Sequence, residues 1–142
     1  MEPSGALSRI EHIGIAVRDL GAAIGTYEKL LGVHCEGIEE VSDQHVRTAF
    51  FRLGESKIEL LASTSPDGPI AKFIAKRGEG IHHIAYAVGD IRAALGGFAS
   101  GGLRLIDREP RKGAEGLSIA FIHPESACGV LTELTESPVP DA

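Results

Sequence analysis

The chain has no tryptophan, one methionine, two cysteines and only 5% aromatic residues. Two cysteines, Cys35 and Cys128, make no disulfide framework, and a reduced, cytoplasmic protein is the expectation. Basic residues are also in short supply. Fourteen Lys and Arg stand against twenty Asp and Glu, for a formal net charge of −6, which argues against a nucleic-acid surface. Long apolar runs are absent, so no segment is expected to cross a membrane. The opening "MEPSGALSRIEH" shows no basic stretch followed by an apolar one, and no secretory signal is expected. What remains is an ordinary globular composition, 43% hydrophobic and 24% charged over 142 residues. The ends, residues 1–8 and 137–142, are rich in Pro, Ser and Gly and are expected to be flexible.

What the chain does have is a repeat. "IEHIGIAVRDL" at 10–20 returns as "IHHIAYAVGDI" at 81–91. At a constant offset of 71, Ile10, His12, Ile13, Ala16, Val17, Asp19, Ala22, Ala23 and Gly25 meet identical residues, nine in sixteen positions without a gap. The far ends match too: "IEL" at 58–60 corresponds to "TEL" at 132–134. Two matches at nearly one offset indicate a duplicated module.

Each copy has the same predicted order. Alternation gives a strand over 10–17, with His12, Gly14 and Ala16 on one face. Asp19 caps a helix over 20–31, which Gly32 ends. Strands follow near 33–40, 46–53 and 56–62, and "LGESK" is the turn between the last two. A short helix near 69–77 leads into the second copy, with a strand at 81–88, an Asp90-capped helix at 91–100, and strands near 103–107, 117–123 and 128–134. "REPRKGAEG" is expected to be a polar loop between two of these strands. The fold class is therefore α+β: two tandem βαβββ modules, about 9–62 and 81–135, joined by a helical linker in one domain of 9–136. The sheet is expected to be mixed, curved and cup-like.

The repeat also places chemistry. His12 and His83 are equivalent, as are Glu59 and Glu133, and small residues share the histidines' face: Gly14 and Ala16 in the first copy, Ala85 and Ala87 in the second. Each glutamate sits in a strand that otherwise reads as buried, and a buried carboxylate needs a partner or a metal. Two imidazoles and two carboxylates suit Zn, Ni, Co, Fe or Mn. Four protein ligands in an octahedral shell leave two adjacent positions open for a Lewis-acid role. His34, His45 and His123 lack partners at repeat spacing and are read as structural, His82 points to the opposite face and is read as structural or exposed, and Cys35 and Cys128 are read as small packing residues.

"HIGIAV", "LGESKIELL", "GEGIHHIAYAV", "FIHP" and "GVLTELTE" resemble the methylmalonyl-CoA epimerase family of the vicinal oxygen chelate, glyoxalase-like superfamily. The resemblance runs from about residue 9 to 136. It implies metal ligands at His12, Glu59, His83 and Glu133 and an acid–base role for Glu133; the second acid–base group is left open between Glu59, water and another group. It implies a divalent cation (Co, Ni, Zn, Mn, Fe or Mg), no further cofactor, an acyl-CoA substrate, no membrane partner and a homodimer. The reaction implied interconverts (2R)- and (2S)-methylmalonyl-CoA by α-proton abstraction through a metal-stabilised enolate. One departure stands out: where some family members carry a second basic glutamate, this chain has Thr48. Arg111 and Lys112, then Lys72 and Lys76, are candidates for the nucleotide end of coenzyme A. A glyoxalase I-like lyase, an extradiol dioxygenase and a metal-free binding protein are the alternatives within the superfamily.

Overall fold

The computed structural model describes residues 6–136. The ends expected to be flexible lie outside these residues, apart from 6–8. Among the described residues eight strands and three α-helices follow in order: β1 (Leu7–Ala16), α1 (Leu20–Leu31), β2 (Gly37–Val41), β3 (Val46–Leu53), β4 (Ser56–Ser63), α2 (Pro69–Arg77), β5 (Gly80–Val88), α3 (Ile91–Ser100), β6 (Arg111–Lys112), β7 (Ser118–Ile122) and β8 (Thr132–Glu136). The chain divides into two compact units, His12–His82 and Met1–Glu11 with His83–Ala142. The boundary falls inside β1, whose two halves serve different units.

In the His12–His82 unit the strand order is β2-β3-β4-β1. The first and last strands, β1 and β4, pair in parallel, with His12 opposite Lys57 and Gly14 opposite Glu59. Parallel pairing requires a crossover, and α1 supplies it. The Asp19 carboxylate accepts a 3.0 Å hydrogen bond from the Ala22 N–H at its start. Gly32, at φ 72°, closes it in the left-handed conformation that suits glycine. The inner stripe of α1 packs Ala23, Ile24, Tyr27 and Leu31 on a core of Val17, Leu20, Ala49, Phe51, Leu60 and Ala62. Burying Phe51 and Leu60 fully stabilises by about 1.5–3 kcal/mol each. A second cluster, Ala16, Val46, Leu61 and Ile70, packs α2 on the other sheet face.

The other unit repeats the plan. β5 and β8 pair in parallel, with Ala85 opposite Glu133. β8 pairs antiparallel with β7, and β7 with β6. Asp90 caps α3 through a 3.0 Å bond from Ala93 N–H. Val88, Ile91, Ala94, Leu95, Ala120, Ile122 and Leu134 form its core.

Several details differ from the predicted elements, and β2, expected near 33–40, starts only at Gly37. β1 starts at Leu7, before the strongly alternating stretch, and Ser8 Oγ donates to the Ala87 carbonyl at 3.4 Å. No strand forms over 103–107. Leu105 makes a single bridge to Ile122, because Ile106 and Asp107 N–H both turn to the Phe121 carbonyl. The strand comes instead from inside the expected loop, as Arg111–Lys112. The last strand begins at Thr132. Before it the chain makes a 3₁₀ turn over Pro124–Ala127, and Cys128 follows in the left-handed region at φ 57°. Cys128 is exposed there, and is not the packing residue expected.

Candidate functional site

Each of the four expected ligands ends up buried, between 4% and 5% exposed. They meet in pairs within the units. In the His12–His82 unit, β1 presents His12 and β4 presents Glu59. The diagonal of the parallel register brings His12 Nδ1 to 3.3 Å from Glu59 Oε2. Gly14, opposite Glu59, has no side chain to fill the space beside the carboxylate. In the other unit, β5 presents His83 and β8 presents Glu133, with His83 Nε2 3.1 Å from Glu133 Oε1. Ala85 takes the place that Gly14 has in the first unit.

The surroundings of the two pairs correspond as well. Phe50 on β3 faces Glu59, and Phe121 on β7 faces Glu133. Phe121 meets the His83 ring edge-on, with centroids 5.9 Å apart. A cation lies over each phenylalanine: Lys57 Nζ is 5.5 Å from the Phe50 centroid, and the Arg111 guanidinium carbon is 5.2 Å from that of Phe121. The pairs differ in what holds the carboxylate. Glu133 Oε2 accepts a 2.7 Å hydrogen bond from Thr135 Oγ1. Glu59 Oε2 lies 3.7 Å from the buried Lys57 ammonium. Among the described residues, no buried side-chain nitrogen or oxygen lacks a hydrogen-bond partner.

Lys57, Thr135 and Glu11 were missed by sequence reasoning, yet all three are buried. Lys57 had one usable signal, since it shares Glu59's face of β4 at two-residue spacing. Thr48 is buried on that same alternation of β3, two residues before Phe50, so position 48 brings no carboxylate there. The remaining histidines have local roles. His82 packs edge-on against Phe73, His34 is exposed beside Glu28, and His123 Nδ1 accepts from the Glu125 N–H. His45 closes a 3₁₀ turn at φ 54°. Arg111 is half-exposed and pairs with Asp107 at 3.4 Å.

The chain as a whole matches a known group of proteins. The sequence profile of the Glyoxalase/Bleomycin resistance protein/Dioxygenase superfamily matches residues 11–121. The chain belongs to that superfamily. The uncharacterised protein YqjC of Bacillus subtilis is 42% identical over 130 residues, covering 92% of this chain and 93% of its own. The ethylmalonyl-CoA/methylmalonyl-CoA epimerase of Cereibacter sphaeroides is 39% identical over 132 residues, covering 92% and 98%. Among solved structures, a variant of Streptomyces coelicolor methylmalonyl-CoA epimerase, in complex with 2-nitronate-propionyl-CoA, superposes with a TM-score of 0.91 at 38% identity. That superposition covers 96% of this chain and 99% of the other. The α+β class and the likeness to methylmalonyl-CoA epimerases expected from the motifs are both borne out.

Proposed function

We propose that the chain is a metal-dependent epimerase of methylmalonyl-CoA. The observation that carries this is the pair of buried imidazole–carboxylate contacts, His12–Glu59 at 3.3 Å and His83–Glu133 at 3.1 Å, in a chain whose relatives include an ethylmalonyl-CoA/methylmalonyl-CoA epimerase. The four residues fit a divalent cation. Imidazole nitrogen and carboxylate oxygen are its usual donors, and buried carboxylates call for positive charge. His12, Glu59, His83 and Glu133 would hold it, in line with their repeat-equivalent positions. When bound, the cation supplies positive charge at the thioester oxygen, where the enolate's charge develops.

The chain's own residues do the rest. Glu133 takes the proton from the carbon between carboxylate and thioester. Thr135 fixes one of its oxygens and thereby its rotamer. Gly14 and Ala85 leave room beside the carboxylates. Reprotonation on the opposite face gives the other epimer, with Glu59 or water as the second group, since position 48 is a threonine. Coenzyme A would run toward the half-exposed Arg111 and its neighbour Lys112 on β6. In this reading the protein works as a cytoplasmic homodimer.

The test is solvent exchange. Metal-loaded protein is mixed with (2S)-methylmalonyl-CoA in D₂O, and the α carbon is followed by mass spectrometry and chiral analysis. Label uptake with inversion is expected. Glu133→Gln should lower it by about 10²–10⁴-fold. A metal-loaded wild type that exchanges nothing would overturn the reading.

A further inference from the structure

We propose that Lys57 is a positioning residue that sets the carboxylate of Glu59 for the cation, an inference that rests on the metal-dependent reading above. The starting point is a buried ammonium. Lys57 is 4% exposed, and lysine is almost never fully buried unless paired. A side chain needed only to fill this space could be methionine or leucine, with no charge to desolvate.

The geometry says what the charge is used for. Lys57 and Glu59 are two apart on β4 and share a sheet face. Lys57 Nζ lies 3.7 Å from Glu59 Oε2, and His12 Nδ1 lies 3.3 Å from that same oxygen. In the parallel register His12 stands directly opposite Lys57. The Phe50 ring, opposite Glu59, lies 5.5 Å from the ammonium and limits where it can go. Backbone pairing and an aromatic face therefore hold the ammonium, and the ammonium holds the carboxylate.

The other unit shows the same device built differently. Glu133 is held by Thr135, two residues further on in its own strand, through a 2.7 Å hydrogen bond to Oε2. In the "GVLTEL" repeat of "SKIEL", the counterpart of Lys57 is Leu131. Each carboxylate thus has a holder on its own strand, on opposite sides in sequence: cationic before Glu59, neutral after Glu133. Partners of this kind orient metal ligands, and losing one typically weakens metal binding about 10–100-fold.

The test measures Co²⁺ binding to metal-stripped protein by calorimetry and by the visible absorption of bound Co²⁺. Lys57→Met is expected to weaken binding by about 10–100-fold, and Lys57→Arg to restore most of the loss with a shifted spectrum. In a Glu59→Gln background, Lys57→Met should cost nothing further, because its effect passes through Glu59. An equal loss in both backgrounds would mark a general packing role and overturn the proposal. So would wild-type or tighter affinity in Lys57→Met, an unshifted spectrum in Lys57→Arg, or a wild type that takes up no cation. Should Lys57→Met fail to fold, the Lys57→Arg spectrum alone decides. A wild type that binds Co²⁺ but exchanges no α proton would overturn the epimerase reading and leave the Lys57 result standing.

Discussion

Thr135 donates its hydroxyl to Glu133 across two residues of a single strand, at 2.7 Å, with both side chains buried. Alternate residues of a strand share a face, so the strand itself sets this contact and no loop can disturb it. Hydrogen bonds to charged groups contribute about 1.5–3 kcal/mol. Thr135→Val keeps the shape and removes the donor. It should lower kcat for epimerisation by about tenfold or more while leaving KM nearly unchanged. Steady-state kinetics on both epimers would show this, and a change confined to KM would argue that Thr135 serves substrate binding instead.

On the proposed reading, removing divalent cations should separate activity from folding. Each unit has its own apolar core, so protein treated with a chelator is expected to keep its far-ultraviolet circular dichroism while losing α-proton exchange. Adding back a divalent cation should restore exchange. A ligand that binds only the folded state at a hundred times its Kd stabilises by about 2.7 kcal/mol. For a chain of this size that corresponds to a rise in Tm of roughly 5–10 °C. A melting curve indifferent to metal would contradict the donor assignment.

The two aspartate caps should prove equivalent. Asp19 and Asp90 each accept a 3.0 Å bond from the N–H three residues on, at the start of α1 and α3. Asp19→Ala and Asp90→Ala should each cost about 1 kcal/mol in urea unfolding. Neither cap touches a ligand pair, so kcat should be unaffected at temperatures where both variants are folded.

Leu134 lies between two residues that matter to the site, Glu133 and Thr135, yet it points the other way, into the core with Val88, Ile91 and Leu95. Leu134→Ala is expected to destabilise by about 2–5 kcal/mol. Leu30→Ala, on the exposed side of α1, should change stability by less than about 0.5 kcal/mol. Denaturant titration of the two variants would check the contrast.

Much of this architecture was legible in the sequence, because the strongest signals are local and occur twice. Asp19 and Gly32 bracket α1 where the pattern places it, and Asp90 opens α3 at the repeat position. The pairing of His12 with Glu59, and of His83 with Glu133, could be anticipated because each pair joins the first and last strands of a repeat. What escaped were features with no periodicity of their own. β6 is two residues long and exists only because β7 is there to pair with. "LRLID" alternates like a strand, but the Asp107 carboxylate accepts from Phe121 N–H at 2.9 Å and turns the chain aside. For Lys57 and Thr135, only the folded strands show which carboxylate each one holds. A lysine in a strand is usually at the surface, and only the folded sheet reveals that this one is not.

The parallel register between β1 and β4, and again between β5 and β8, bears on the chain during its synthesis. A histidine leaves the ribosome first, and its glutamate follows only after a helix and two further strands have been made. Until the last strand of a module docks, the emerging polypeptide offers the histidine without the glutamate of its pair. Long-range pairing of this kind forms slowly. A nascent or truncated chain ending before Glu59 therefore carries the first imidazole without its paired carboxylate, and the pair is completed only once the last strand of the module has been made and docked.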